Sequence, residues 1–428
     1  MLGDILGINI VVANTATGTH LMFQPLSSAF ANNPYDVYAR LRALEKPYYF
    51  ADMNVHLLAR YEDVEATARQ AAMVRSLAAV MPTEYVVEEQ KRANFHDMPN
   101  HEQLVQLSML EQDGSHHRRV RMLVLREFSR QFVKKHQAMI QQYVDRLLEP
   151  LLEKQDVDFV TELAAHVPGH IIGNILGVPD ADCPQLRIWS ENIVQYFDAD
   201  RTEANKQLAE TATTEFKDYL VRLIAAREHK PQDDLLSVLI RAKHAGELDE
   251  TELISLSLLI LAGGHGSTID VLGTGLLALL SHPDQHKKLR SAPALTGTAI
   301  HEMFRYDSPL PFFHRYASEE VEVMGQIYPK GTKFGLLYGS ANRDPAQFPN
   351  ADTFDIERSP NRHIAFGRGA PLCLGNNLAR LDMEIIFKTL LARTSDIECD
   401  TDQVSYKPGL AARGLLALPV RLIPGSRS

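Results

Sequence analysis

The sequence predicts a mainly α-helical protein with small β-sheets, folded as a single domain over residues 1–428 with an N-terminal arm at residues 1–30. Three observations support this fold class. Apolar residues recur every three or four positions along most of the chain, as in amphipathic helices. Alternation of apolar and polar residues is confined to short stretches. No Pro-rich or Ser-rich linker divides the chain, so one large domain is expected rather than several.

The first elements are short. Asn33-Pro34 opens a helix, Met53–Leu58 alternates like a strand, and a second helix follows at Tyr61–Arg69. Residues 73–112 show no clear period, and a connection of that length is typical of a functional lid. We therefore expect irregular structure there.

Helices then follow one another with short breaks. The longest spans Asp249–Ser281 and is almost entirely apolar, which predicts burial on most sides. Glycine in a helix costs about 1 kcal/mol relative to alanine, so its glycines predict a close-packed or distorted point. The other predicted helices are Ser115–Phe128, Val133–Glu153, Cys183–Phe197, Ala204–Glu228 and Leu235–His244.

The C-terminal third adds strands and a glycine-rich loop. Tyr316–Leu337 is rich in β-branched residues and contains Pro329-Lys330-Gly331, which predicts a hairpin. The loop Phe366–Gly375 leads into a last helix, Asn376–Thr394.

Composition excludes several classes of protein. Subtracting 54 acidic from 44 basic residues gives a net charge of −10, which argues against a non-specific nucleic-acid binder. Three cysteines are too few for a disulfide framework. The apolar run Ile8–Ala13 is too short to span a membrane, and no Lys or Arg precedes it. A cytoplasmic protein without a membrane anchor is expected.

Cys373 stands in the glycine-rich loop, directly before the last helix. A helix N-terminus stabilises a thiolate, and the flanking glycines allow the backbone to approach a flat ligand closely. These features suit an axial thiolate on haem iron, although a buried, inert cysteine is the alternative for this loop alone.

The wider pattern resembles the cytochrome P450 family of haem-thiolate monooxygenases. The cysteine loop matches Phe-Gly-x-Gly-x-His/Arg-x-Cys-x-Gly at all positions but one, and further signatures occur in family order from Asn33 to Leu422. They are Asp113, His117 and Arg121 in one helix, Glu302-Met303-Phe304-Arg305, Arg315, and His363 before the loop.

The resemblance implies a haem b cofactor between the long central helix and the cysteine-loop helix, with Cys373 as the iron ligand. His117, Arg121, Arg315 and His363 are then the expected partners of the haem propionates, since buried anions need paired donors. Glu302, Arg305 and Arg358 are expected to form a structural trio.

Two departures from the family pattern bear on chemistry. The active-site helix of the family carries an acid followed by an alcohol, and this chain has Gly266 and Ser267 there. Ser267 and Thr268 are the candidate catalytic alcohols. A register shifted by one residue would place His265 at the acid position, and Asp270, one turn beyond Gly266, is either a displaced proton donor or a salt-bridged aspartate.

The second departure is Pro371, which lacks the donor that the loop's usual His or Arg provides. Arg368 either compensates for it or lies on the surface that faces an electron donor. Residues expected to wall an apolar substrate pocket are Leu261, Gly263, Gly264, Phe312, Phe313 and Leu410.

The resemblance thus implies oxidation of an apolar small-molecule metabolite in secondary-metabolite biosynthesis, with dioxygen and with electrons from NAD(P)H through a ferredoxin reductase and a ferredoxin. The missing acid leaves open oxidative coupling, peroxide-dependent or isomerase-like chemistry. A non-catalytic haem-binding sensor is the alternative from another class. No nucleic acid or membrane partner is expected.

Overall fold

The computed structural model describes residues 23–198, 200–369 and 371–425, and over these ranges it is mainly helical with three small sheets. The first nine helices are α1 Ser28–Asn32, α2 Tyr35–Arg42, α3 Tyr61–Arg69, α4 Thr83–Arg92, α5 Pro99–His101, α6 Gly114–Leu125, α7 Arg130–Val133, α8 Gln137–Lys154 and α9 Val167–Leu176. They are followed by α10 Cys183–Val194, α11 Glu203–His229, α12 Leu235–His244, α13 Glu250–Gly263, α14 Gly266–Leu280, α15 Pro283–Ser291, α16 Thr296–Tyr306, α17 Tyr338–Ala341 and α18 Asn376–Arg393.

The strands form one sheet of five, one of three and one of two. They are β1 Tyr48–Phe50, β2 Val55–Leu58, β3 Met73–Val74, β4 Asp156–Asp158, β5 Phe312–Ala317, β6 Val321–Val323, β7 Gln326–Tyr328, β8 Lys333–Leu337, β9 Thr394–Glu398 and β10 Pro419–Pro424. The five-stranded sheet has the order β1-β2-β8-β5-β3, in which only β2 and β8 run parallel. The predicted fold class is confirmed.

Residues 1–22 of the expected N-terminal arm, including Ile8–Ala13, lie outside the described residues. The remainder of the arm is packed against the body of the protein. Phe23 and Phe30 are buried in an apolar cluster with Phe50 of β1, and their rings meet edge to face. Residues 23–30 of the expected arm are therefore part of the folded body.

The prediction of irregular structure over residues 73–112 is wrong in part. The segment contains the ten-residue helix α4 and a π-helical turn at Glu102–Gln106. Helix α4 has no buried residue, so no apolar stripe marked it in the sequence. Helix α9 was missed for the opposite reason, because nine of its ten residues are buried and it has no polar face to give a period.

The long central helix is broken where its glycines fall. A capping box of Asp249 and Glu252 starts α13, which ends at Gly263, and α14 begins at Gly266. The stretch Glu250–Leu280 is long and apolar enough to cross a membrane, but 72% of its most apolar window is buried inside the protein. It is therefore a core helix, as its composition predicted.

The hairpin turn differs from the predicted one. Strands β6 and β7 pair around Met324 and Gly325, both of which have positive φ angles. Pro329-Lys330-Gly331 instead leads from β7 into β8, whose antiparallel partner is β5. The sequence has two turn signals close together, at Met324-Gly325 and at Pro329-Lys330-Gly331. The first one forms the hairpin, because β8, which follows the second, pairs with β5 instead of β7.

Candidate active site

The loop before α18 is held in shape by its own backbone. The N–H of Cys373 donates to the carbonyl of Phe366 (2.9 Å), and the N–H of Gly367 donates to the carbonyl of Ile364 (2.9 Å). Gly367 and Gly369 both have φ of +77°, a conformation that favours glycine. A Cβ at Gly369 would also come within 3.0 Å of the Ala68 carbonyl oxygen, so the loop lies directly on the end of α3.

The thiol of Cys373 is accessible and yet surrounded by protein, which is the combination expected of a group that lines a concave space. Its side chain has substantial accessible area, yet burial raises the pKa of the thiol. The backbone N–H groups of Gly375 and Asn376 and the charges of Arg121 and Arg380 act in the opposite direction. A metal-coordinating cysteine binds as the thiolate, and these four groups are the local stabilisers of that anion.

Helix α6 brings two of the predicted haem-binding residues to this loop. Arg121 donates from Nη2 to the carbonyl of Leu372, next to Cys373. His117, one turn earlier on the same face, is buried, and burial followed by the charge of Arg121 lowers its pKa. Asp113, the first residue of the motif, instead accepts the N–H groups of Arg75 (2.7 Å) and Ser76 (3.0 Å) and so positions the start of α6.

Arg315 is a buried cation with no counter-ion among the described residues. Its side chain is 4% exposed, and its only hydrogen bond among the described residues goes from Nη1 to the carbonyl of His314 (2.7 Å). Burial, and then the neighbouring charge of Arg75, lowers its pKa to about 10. A buried charge of this kind calls for an anionic partner, and a haem propionate provides one.

Arg75 was missed by sequence reasoning. It is buried beside Arg315, forms an ion pair with Glu111 and donates from Nη1 to the carbonyl of His314 (3.0 Å). It stands in the stretch that showed no period, so no sequence signal singled it out. Its positive charge adds to that of Arg315 at the same strand.

His363 does not have the surroundings expected of a propionate donor. Its Nε2 lies 3.0 Å from Nδ1 of His301, and its Nδ1 accepts the N–H of Ala365 (3.4 Å). Burial lowers its pKa to about 3, so the ring is neutral. Both ring nitrogens are occupied within the protein, which supports a role in shaping the loop.

At the break between α13 and α14, Gly263 and Gly266 border open space, whereas Gly264 and His265 contact α9. A Cβ at Gly263 or Gly266 would meet no atom within 4 Å, and the partly exposed Ser267 lies one turn after Gly263. Gly264, by contrast, abuts Ile172 of α9, and the His265 ring packs onto Gly169 of the same helix. The register with Gly266 at the acid position is therefore the one the structure adopts, and the alternative with His265 there is wrong.

The other candidate proton-handling residues near the break, Thr268 and Asp270, are buried. Thr268 is 4% exposed, so the structure gives its hydroxyl little access to open space and does not support it as a catalytic alcohol. Asp270 is buried, and its Oδ1 accepts a hydrogen bond from Lys407 Nζ at 3.0 Å. Asp270 is thus a salt-bridged aspartate rather than a displaced proton donor.

Arg368 does not replace the donor lost at Pro371. Its Nε lies 3.4 Å from Glu65 of α3, and its Nη2 is within 3.3 Å of the Arg362 carbonyl. Arg368 therefore ties the loop to α3, and neither of the two roles considered for it is needed to explain its contacts.

The residues expected to wall the pocket divide into two groups. Gly263 borders open space, and Phe313 is half-buried with the Arg75 guanidinium 5.4 Å from its ring centroid. Phe312 and Leu410 are buried together in the cluster beneath the five-stranded sheet, and Leu261 is buried in the main core. With Gly264 facing α9, the pocket wall is supported only for Gly263 and Phe313, and the other four positions have core contacts.

The structural trio is confirmed. Glu302 and Arg305 are fully buried, and Arg305 donates from Nε (2.7 Å) and Nη2 (2.8 Å) to the Glu302 carboxylate. Arg358 reaches the same carboxylate from its Nε at 3.2 Å. The trio joins α16 to the segment that precedes the cysteine loop, with Glu302 and Arg305 fully buried and Arg358 partly exposed.

The donor set fits a haem group. The accessible thiol of Cys373 lies just before α18, and α14, which carries Gly266 and Ser267, packs against that helix. Buried or half-buried cations from α6 and β5 provide the charge that two carboxylates require.

Comparison with known proteins agrees with this arrangement. The sequence model of the family described as Cytochrome P450 matches residues 75–292 and 294–418. Polyketide biosynthesis cytochrome P450 PksS of Bacillus subtilis (strain 168) is 35% identical, over 94% of this chain and 99% of that protein. Cytochrome P450 monooxygenase PikC of Streptomyces venezuelae is 33% identical, over 95% of each chain.

Among solved structures, P450BioI in complex with a hexadec-9Z-enoic acid ligated acyl carrier protein superposes with a TM-score of 0.84. It is 33% identical, and the match covers 92% of this chain and 99% of that one. The cysteine loop and its arginines agree with a match in sequence and fold over nearly the whole chain. We conclude that the protein belongs to the cytochrome P450 family and is a P450 monooxygenase.

Proposed function

We propose that this protein binds haem b through Cys373 and oxidises an apolar small metabolite of secondary metabolism, with electrons from a ferredoxin and its reductase. The whole chain is one haem-thiolate domain in this proposal, and it works in the cytoplasm. Relatives named for polyketide biosynthesis and monooxygenase activity support the pathway class.

One observation carries the proposal. The thiol of Cys373 is accessible although burial raises its pKa, and Arg315 is a buried cation that has no counter-ion among the described residues. A thiolate ligand and buried cations without anions are what a haem with two propionates requires. A merely structural cysteine loop would not explain the charge on β5.

When bound, the haem supplies a thiolate-ligated iron at which dioxygen is activated. The chain's own residues prepare this site. Arg121 and Arg380 and the N–H groups of Gly375 and Asn376 favour the Cys373 thiolate. Arg315 and the α6 pair His117 and Arg121 would hold and orient the haem propionates.

The start of α14, with Gly266 and Ser267, has an alcohol but no acid for proton delivery. The hydroxyl of Ser267 has no hydrogen-bond partner among the described residues, so its Oγ is free to hold a water molecule. Gly266 supplies no proton, and the nearest carboxylate along α14, that of Asp270, is held by Lys407. Proton delivery must therefore pass through water or through a polar group of the substrate.

Electron delivery is expected on the face formed by α6. Arg118, Arg126 and Arg130 are exposed in and after this helix, and none of them has an ion-pair partner among the residues that the structure describes. An acidic ferredoxin would be steered to such a patch despite the net charge of −10.

The lack of an acidic side chain at residue 266 favours a second candidate function. Without an acid at residue 266, peroxide-driven oxidation, oxidative coupling or an isomerase-like reaction needs fewer delivered protons than the conventional cycle. Relative turnover with hydrogen peroxide and with NADPH, ferredoxin and reductase separates the two readings.

The test is spectroscopic. Reconstituted protein should give the ferrous–carbon monoxide spectrum of a thiolate-ligated haem, and Cys373→Ala should lose it. Cys183→Ala is the matched control, because Cys183 is buried in the helical core and should leave the spectrum unchanged. A Cys373→Ala protein with an unaltered Soret band would overturn the proposal.

A further inference from the structure

His301 of α16 lies behind the cysteine loop, directly before the trio residue Glu302, and sequence reasoning gave it no role. It is half-buried, and its Nδ1 is 3.0 Å from Nε2 of His363, in the segment that leads into the loop. The two ring centroids are 5.3 Å apart and the ring planes are inclined by 50°. The rings therefore meet through their nitrogens rather than by stacking.

The contacts of His363 determine which nitrogen carries the proton in this pair. Nδ1 of His363 accepts the N–H of Ala365 (3.4 Å), so the proton of the neutral ring is on Nε2 and is donated to Nδ1 of His301. Burial lowers the pKa of both rings, that of His363 to about 3, so both are neutral. The pair is thus held by one neutral hydrogen bond.

Arg380 of α18 lies on the other side of His301, with its Nη1 3.5 Å from the histidine Nε2. Two donors at this distance are packed together and do not form a hydrogen bond. The guanidinium is instead bonded to the start of α18, through Nε to the Asn376 carbonyl (3.0 Å) and through Nη2 to Oδ1 of Asn376 (2.7 Å) and of Asn377 (2.8 Å). His301 therefore lies between the two ends of the cysteine loop, bonded to one and packed against the anchor of the other.

The two ends of the loop meet at Cys373. Its N–H donates to the Phe366 carbonyl at 2.9 Å, and its carbonyl accepts Nδ2 of Asn376 at 2.7 Å. Phe304, one turn after His301 on α16, packs its ring against that of Phe366 with the centroids 4.4 Å apart. Contacts from α16 thus support the backbone that positions the sulfur.

We propose that His301 is a positioning residue of the haem-thiolate site, which holds the segment before the loop on α16 through His363 and so keeps the Cys373 sulfur in its thiolate form. This inference rests on the proposed function, since it concerns the sulfur that binds the haem iron. Without the bond, the segment can move away from α16 and weaken the hydrogen bond between Cys373 and Phe366. The sulfur then takes up one proton from solvent more readily and becomes a neutral thiol.

Three substitutions separate the two nitrogens of His301. Asparagine places an amide atom near the position of Nδ1, glutamine places one near Nε2, and leucine provides neither. The test times the conversion of the ferrous–carbon monoxide spectrum from the thiolate-ligated to the thiol-ligated form, in a sub-denaturing concentration of guanidinium chloride. His301→Leu and His301→Gln should convert roughly three- to tenfold faster than the wild type, the effect of one neutral hydrogen bond, and His301→Asn should convert at the wild-type rate.

A second measurement tests the partner. His363→Leu should convert at least as fast as His301→Leu, and combining the two should cause no further increase, because both changes remove the same bond. The exposed His229→Leu is the control and should behave like the wild type. Thermal midpoints are recorded for every variant, since a general loss of stability would accelerate conversion in proportion to the midpoint and would not be rescued by asparagine alone.

A wild-type rate in His301→Leu, equal rates in His301→Asn and His301→Gln, or additive effects in the double variant would overturn the inference. The comparison of asparagine with glutamine decides the question even if the leucine variant does not fold. A wild-type protein that binds haem without giving the thiolate spectrum would instead overturn the proposed function.

Discussion

At the scale of single residues, Arg315 is buried and has no counter-ion in the part of the chain that the structure describes. In the absence of haem, this uncompensated charge should lower the free energy of unfolding. Replacing Arg315 by glutamine should leave the thermal midpoint of the haem-free protein unchanged or higher. The same change should speed haem dissociation about 10- to 100-fold, since a hydrogen bond to a charged group contributes about 1.5–3 kcal/mol. Transfer of haem to an apo-globin acceptor measures the rate, and Arg222→Gln is the control. A lower midpoint with unchanged haem release would show that Arg315 is structural.

Gly266 permits a direct test of the missing acid. A Cβ there meets nothing within 4 Å, so Gly266→Glu should fold, and replacing a helical glycine should add up to about 1 kcal/mol of stability. If proton delivery limits turnover, the variant should raise the product formed per NADPH consumed. Gly266→Gln has the same size without the acid and should not. Equal coupling in the two variants would show that water or substrate already supplies the proton.

At the scale of elements, the break between α13 and α14 is fixed by contact with α9. The His265 ring is 2% exposed, and a Cβ at Gly169 would lie 2.2 Å from its Cε1. Gly169→Ala should therefore destabilise the protein by about 1–3 kcal/mol, the usual cost of overpacking. Urea unfolding of Gly169→Ala, His265→Ala and the double variant checks this. The double variant should recover part of the loss, and strictly additive effects would mean that the two residues do not determine each other's packing.

The sequence predicted elements well where a helix has one apolar face. Helix α18 was predicted at Asn376–Thr394 and is found at Asn376–Arg393. Prediction from the sequence failed for helices without an apolar face and a polar face. Helix α4 has no buried residue, and nearly every residue of α9 is buried. The cysteine loop could be predicted because its chemistry is local. The second arginine at β5, Arg75, could not, since its position depends on the pairing of β3 with a strand more than 200 residues later.

At the scale of the whole molecule, buried neutral histidines predict loss of stability in acid. Burial lowers the pKa of His265 and of His363 to about 3, against 6.5 for an ordinary histidine. Below pH 6.5 the unfolded chain binds protons that the folded chain does not, so the free energy of unfolding should fall as pH drops from 6.5 toward 3.

Urea unfolding between pH 7.5 and 4.5 measures that slope. His363→Gln should reduce it by up to about 1.4 kcal/mol per pH unit, the value for one proton. The exposed His229→Gln should leave the slope unchanged. An identical slope in both variants would show that His363 titrates normally in the folded protein.

The glycines around the helix break also determine where the protein can diversify. Gly263 and Gly266 border room for a larger group, whereas Gly264 and Gly169 are pressed against neighbouring atoms. A combinatorial library at positions 263 and 266 should retain mostly folded members with new regioselectivities, while randomising 264 or 169 should yield mainly insoluble ones. Substitutions that change the reaction without unfolding the protein should thus be concentrated on one side of the break between α13 and α14.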